Sequence, residues 1–268
     1  MIPKIIHLCW LSGDEYPDSI RKCLDSWHEH LPDYEIWLWD TKRFDIHSTK
    51  WTEQAYESKK YAFAADYIRL YALYNYGGIY MDSDVLVYKS FNDLLQLPYF
   101  IGEDVVHCFE PAIIGSESHQ EWIKVVLDRY EGLEFINPDG SYNMRGLPVV
   151  FHDRLVQNYS FRRVRNPIER SDFHTNIINI FPSYYFNSRD YVGAINTPES
   201  YCSHNFYGSW LNKGTGIKCL IKKFTPRSIA NLYFMIYYLF HKYQLEIIQI
   251  PFDKCIKSIS MDESVRQL

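Results

Sequence analysis

The chain has 268 residues, a formal charge of −5, 47% hydrophobic and 23% charged residues, and only 12 Gly and 12 Pro, which excludes collagen-like, low-complexity and disordered chains. What remains is one sizeable globular unit, or one domain with an appendage. Charge is unevenly spread: residues 213–268 hold nine Lys/Arg against four Asp/Glu and residues 1–212 hold 19 against 29, so an acidic body carries a basic tail.

Ile2 to Trp10 is apolar and β-rich, Leu11-Ser12-Gly13 is a turn, and Asp18 to Leu31 places Ile20, Cys23, Leu24 and Trp27 on one helix face. Tyr34 to Trp39 alternates as a second strand. Thr52 to Tyr76 reads as one long helix stopped by Gly77-Gly78. Ile79-Tyr80-Met81 and Val85-Leu86-Val87 flank a polar interruption, and further strands are expected near Tyr99 to Gly102 and Ala112 to Gly115, with a helix from about His119 to Tyr130. Residues 131–145 are loop-like. This βαβα order favours an α/β fold with a mostly parallel sheet.

The opening residues lack the length and order of a signal peptide, and no run reaches the roughly 20 apolar residues of a bilayer-spanning helix, so the expected setting is the cytoplasm. Six cysteines lie far apart with no C-x-x-C pair and are expected to be free thiols. Aromatic residues make up 17% of the chain, and such rings either fill cores or stack on sugars and bases.

The strongest chemistry sits at Asp82-Ser83-Asp84. Two carboxylates at the end of a buried strand need a partner, because an uncompensated charge there costs several kcal/mol. A hard divalent cation, Mn²⁺ or Mg²⁺, is a natural one; a plain polar turn between strands is the alternative. Upstream, Asp66 and Arg69 are neighbours at i and i+3 on one helix face, as a ligand-facing pair or an exposed ion pair.

Taken together, Ala62-Phe63-Ala64-Ala65-Asp66-Tyr67-Ile68-Arg69 followed by Gly77-Gly78-Ile79-Tyr80-Met81-Asp82-Ser83-Asp84 resembles the sugar-binding region of the DXD-containing glycosyltransferases of family 32. Two further stretches match: the opening Ile2-Pro3-Lys4-Ile5-Ile6-His7 through Trp10 to Gly13, and the late His204-Asn205-Phe206-Tyr207-Gly208-Ser209-Trp210. The resemblance covers about residues 1–212. A Gly-Pro of the family appears as Gly146-Leu147-Pro148, one residue longer.

The resemblance implies a GT-A fold, a single Rossmann-like nucleotide-binding domain over residues 1–212, with residues 213–268 as a helical appendage. It implies that Trp10 stacks on the base of a nucleotide sugar, that Asp66 and Arg69 hold the donor sugar or ribose, that Asp82, Asp84 and His204 bind the metal with Ser83 beside them, and that Ser209 and Trp210 contact the diphosphate. Asp66, Arg69, Asp82 and Asp84 are the expected catalytic set, in a retaining hexosyl transfer from a UDP-sugar (UDP-galactose or UDP-glucose) to a glycan or lipid-linked acceptor of a bacterial capsule or surface polysaccharide. GDP-mannose is the alternative donor; a glycan-binding protein and a metal-dependent phosphohydrolase are the rivals of other classes. No nucleic-acid partner is expected. The residues themselves leave core roles open for Trp10, Trp210 and His204, and favour one for His7. Glu103 and Asp104 are candidate nucleophiles, weighed against a solvated loop pair.

In the tail, Thr225-Pro226-Arg227 is a helix-start signal and Ile229 to Phe240 is apolar nearly all round, with Lys218, Lys222 and Lys223 before it. Twelve residues rise only ~18 Å, too short to span a membrane. Such a helix either lies in the interface of an anionic inner leaflet or packs on the domain or a second subunit.

Overall fold

The computed structural model describes residues 1–164, 168–188, 196–205, 226, 229 and 250–252. In chain order the elements are β1 (Ile5–Cys9), α1 (Asp18–His30), β2 (Glu35–Trp39), α2 (Lys50–Glu57), α3 (Tyr61–Tyr76), β3 (Gly78–Met81), β4 (Val85–Val87), β5 (Tyr99–Glu103), β6 (Phe109–Ser116), α4 (Glu121–Leu127), α5 (Leu147–Leu155), β7 (Ser160–Arg163), β8 (Ile177–Ile180), α6 (Ser183–Phe186) and β9 (Cys202–His204). The α/β expectation holds. The central sheet has the order β2-β1-β3-β6-β5 and is mixed: β2, β1 and β3 run parallel, whereas β6 is antiparallel to both β3 and β5. The parallel half is the βαβα portion, where helices supply the crossovers; β5 and β6 are joined by a short loop, which permits only an antiparallel return.

Strand residues alternate between two cores, as the two-residue period of a pleated strand requires. Ile6, Leu8, Ile79, Met81, Phe100 and Ile113 face a layer containing Trp27, Val85, Phe91 and Phe186. Tyr80, Ile101 and Ile114 face the opposite layer, built from α3, α4 and α5. Most of α3 is buried, which is why its apolar residues surround the helix instead of forming a stripe. Asp66 and Arg69 are the charged residues among its buried positions.

The single helix expected from Thr52 to Tyr76 is two. Lys59 adopts φ 55° and the Lys60 amide returns to the Ala55 carbonyl at 2.8 Å, so the polar Ser58-Lys59-Lys60 run turns the chain. The turn lets the Trp51 indole donate to the Phe63 carbonyl at 2.7 Å. Leu147-Pro148, expected only as a departure from a family pattern, opens α5 with the proline in the first turn, where its missing N–H costs nothing.

Among the described residues no helix is long and apolar enough to cross a membrane, and Cys9, Cys23, Cys108 and Cys202 are free. The helix expected at Ile229 to Phe240, its flanking lysines and Arg227 lie outside the described residues, Ile229 excepted. Farther along, Ile250 is buried in the main core, its amide donating to the His107 carbonyl at 2.9 Å, and the Arg163 guanidinium lies 4.2 Å from the centre of the Phe252 ring.

Candidate functional site

The site is anchored by the turn between α3 and β3. Gly77 closes α3 at φ 64° and Gly78 follows at φ 109°, values that L side chains rarely adopt. A Cβ on Gly78 would lie 2.6 Å from the Ile5 carbonyl oxygen and 3.0 Å from His7 Nε2, so β3 can lie against β1 only with glycine there. His7 is fully buried; its Nε2 meets the Gly77 carbonyl at 2.6 Å and its Nδ1 accepts from the Trp39 indole at 3.0 Å. The core role expected for His7 is the one it has.

β3 then delivers Asp82 beyond its carboxyl end. The Val85 amide donates to the Asp82 carbonyl at 3.0 Å, a tight turn that carries Ser83 at its tip and swings Asp84 to the same side. β4 is held against α1 by the Trp27 indole on the Val85 carbonyl at 2.8 Å and pairs antiparallel with β9, so that Val85 faces His204. That pairing places the His204 imidazole beside the acidic pair: Nε2 lies 3.3 Å from Asp84 Oδ1. One ligand atom each from Asp82, Asp84 and His204 fall within 4.8 Å of one another. The three residues expected to bind metal are thus brought together, with two carboxylates and one imidazole, a donor set suited to a divalent cation.

Asp66 and Arg69 are not an exposed ion pair; they are 8% and 5% accessible. Arg69 Nη2 reaches Asp66 Oδ1 at 3.0 Å and Asp82 Oδ1 at 3.3 Å, while Nη1 donates to the Pro111 carbonyl at 2.9 Å. Its guanidinium lies 4.4 Å from the Tyr80 ring centre, and the Tyr80 hydroxyl donates to Asp82 Oδ1 at 2.7 Å. Arg69 therefore joins the α3 carboxylate to the strand-end one. Burial pushes the Asp66 carboxyl up to about 7; Arg69 pulls it down and Asp82 pushes it further up. Desolvation outweighs the guanidinium, so Arg69 orients Asp66 without holding it in the ordinary carboxylate range. Asp82 is raised for the same leading reason.

Trp10 leaves β1 at its carboxyl end, half-buried, its indole donating to the Asp14 carbonyl at 2.8 Å and its ring 4.8 Å from that of Tyr16. Ser209 and Trp210 lie outside the described residues. Glu103 and Asp104 are not a solvated pair. Glu103 is 3% accessible and held by Arg163 Nε at 2.8 Å and His107 Nδ1 at 2.9 Å. Asp104 accepts from the Val106 and Cys108 amides at 2.9 Å each, and burial raises its carboxyl to about 7. These bonds make Glu103 an ion-pair anchor and Asp104 the brace of a loop.

Sequence reasoning missed Glu110 and the hydroxyl of Tyr80. Burial works against a charged His204, but Glu110 and Asp84 raise it to about 10. Glu110 sits amid apolar residues of β6, and a buried acid on such a strand was its one visible signal.

The family described as glycosyltransferase sugar-binding region containing DXD motif matches residues 17–101. Inositol phosphoceramide mannosyltransferase 3 of Schizosaccharomyces pombe is 34% identical over 107 residues, 37% of this chain and 29% of that protein. A mannosyl phosphorylinositol ceramide synthase of Saccharomyces cerevisiae is 33% identical over 146 residues, 51% of this chain and 37% of its own length. This chain thus spans well under half of either relative. An uncharacterized glycosyltransferase of Acanthamoeba polyphaga mimivirus is 26% identical over 226 residues, 78% of this chain and 84% of that one. Among solved structures, PaToxG Glycosyltransferase superposes with a TM-score of 0.43 at 21% identity, covering 58% of this chain and 69% of that one. The match over residues 17–101 makes this stretch similar to the DXD-containing sugar-binding region of glycosyltransferases, in keeping with the resemblance of the chain to family 32.

Proposed function

We propose that the chain is a metal-dependent glycosyltransferase moving a hexosyl group from a nucleoside diphosphate sugar to a lipid-borne or glycan acceptor. The observation that carries this is the convergence of Asp82, Asp84 and His204 within 4.8 Å, beside Asp66 and Arg69 and beyond the carboxyl ends of the parallel strands, where ligands of α/β sheets lie. Asp82, Asp84 and His204 would hold Mn²⁺ or Mg²⁺, which when bound supplies Lewis-acid neutralisation of charge on a departing diphosphate.

The chain's own residues supply the rest. Tyr80 and Arg69 both engage Oδ1 of Asp82, fixing that carboxylate and directing its other oxygen elsewhere. Asp66, tied to Arg69, presents a carboxyl oxygen to orient sugar hydroxyls and to favour the positive character the ring gains as the glycosidic bond breaks. Trp10 offers an aromatic face for a base. Anomeric retention and action at an inner-leaflet surface extend the same proposal.

The relatives named mannosyltransferases support a mannosyl donor such as GDP-mannose and a sphingolipid-like acceptor; a UDP-hexose donor rests on the sequence resemblance. The test is thermal shift with Mn²⁺ and each of UDP-glucose, UDP-galactose and GDP-mannose, followed by mass spectrometry of products. One donor should stabilise the protein only with Mn²⁺, by ~2.7 kcal/mol at 100 times its dissociation constant, and yield a transferred sugar. Free sugar alone would indicate a hydrolase, and no stabilisation by any of the three would sink the reading.

A further inference from the structure

We propose that Glu110 is a positioning residue for His204, holding the imidazole so that Nε2 faces Asp84 at the cation position; this rests on the metal reading above. Glu110 lies on β6, is 3% accessible and falls outside residues 17–101. Its neighbours Phe109, Ala112 and Ile113 are buried and apolar, so packing alone gives no reason for an acid here. A buried carboxylate persists only where its oxygens are satisfied, and both are. Oε1 accepts from the Ala112 amide at 3.2 Å and meets His204 Nδ1 at 3.2 Å. Oε2 accepts from Asn187 Nδ2 at 2.6 Å. Asn187 is itself fully buried and follows α6, so the carboxylate is gripped from a second element and cannot swing away.

The consequence falls on His204. Nδ1 is engaged by Glu110, and the other ring nitrogen, Nε2, stands 3.3 Å from Asp84 Oδ1. β9 is a short strand, and its pairing to β4 fixes the backbone of His204 without fixing its ring. The Glu110–Asn187 grip constrains the ring from the Nδ1 side, in the manner of carboxylates behind metal-binding histidines, whose loss weakens metal binding by about 10–100-fold.

Mn²⁺ titration of the full chain, followed by the free-ion electron paramagnetic resonance signal, tests this alongside nitrogen coupling in pulsed spectra of bound Mn²⁺ and thermal melts. Wild type should bind Mn²⁺ with coupling from an imidazole nitrogen. Glu110→Ala should bind about 10–100-fold more weakly and lose that coupling. Glu110→Gln, which keeps the shape but weakens the charge-assisted bond, and Asn187→Ala, which removes the grip without touching His204, should each bind several-fold more weakly; these two serve if Glu110→Ala does not fold. Folded Glu110→Gln and Asn187→Ala with wild-type affinity and unchanged coupling would overturn the positioning role alone. Wild type without Mn²⁺ binding would overturn the metal reading, and this inference with it.

Discussion

Trp39 donates its indole N–H to Nδ1 of His7 at 3.0 Å, and this bond fixes the imidazole as the neutral tautomer whose Nε2–H donates to the Gly77 carbonyl. Burial drives its pKa down to about 4, against the raising effect of the Gly77 bond and with a smaller lowering by Arg43. An unfolded histidine titrates near 6.5. The unfolded chain therefore gains a proton that the native one refuses, and stability is lost as pH falls from about 6.5 to 4, by roughly 3 kcal/mol in total. Urea unfolding across that range should show the loss, with a flat profile above pH 7 from this residue. His7→Gln should be less stable at pH 7 and show a shallower slope; an unchanged slope would assign the pH dependence elsewhere.

Asp84→Ala should abolish Mn²⁺-dependent nucleotide-sugar binding with a small change in melting temperature, since its carboxylate faces the imidazole and the cation position. Asp82→Ala is a different case. It strands the Tyr80 hydroxyl and one contact of Arg69, and unsatisfied buried groups cost about 1–3 kcal/mol each. Calorimetric titration together with thermal melts separates the two effects: Asp82→Ala should lose stability as well as affinity.

In Asp66→Asn the shape is kept and the charge removed, so turnover should fall by about two orders of magnitude while nucleotide affinity changes only a few-fold, the pattern of an interaction realised in the transition state. Arg69→Lys should fail on both counts, because a point charge cannot engage the Pro111 carbonyl and two carboxylates together. Steady-state kinetics decides. Near-normal turnover in Asp66→Asn would reduce Asp66 to a structural partner of Arg69.

Gly78→Ala should destabilise by about 2–4 kcal/mol, a fall of roughly 5–15 °C in melting temperature. The methyl meets the backbone oxygen of Ile5 at 2.6 Å and forces a residue with a side chain to hold φ 109°. A variant melting within 2–3 °C of wild type would show that β3 can shift away from β1.

Much of this was legible in the sequence where the signal is local. Alternation gave β2, apolar β-rich runs gave β1 and β3, and Gly77-Gly78 marked the helix stop and the entry to the acidic pair. The Ser58-Lys59-Lys60 break was not legible, because lysine at a left-handed turn carries no composition cue and the flanking periodicity runs straight across it. Nor was the state of Glu103, whose burial depends on Arg163, sixty residues on. Glu110 escaped for a related reason: the meaning of a lone acid on an apolar strand lies in Asn187 and His204, which reach it only through the fold.

The β4–β9 ladder has a consequence for how the chain comes into being. During synthesis the stretch that bears the acidic pair leaves the ribosome well before His204, and closing a loop on the order of 100 residues costs about 4 kcal/mol of chain entropy. Until the late strand is made, Asp82 and Asp84 have no imidazole to face. A fragment excised at residues 17–101 would keep the signature yet lack the imidazole, the glutamate behind it and the histidine under the glycine turn, and should neither fold as an independent unit nor retain Mn²⁺.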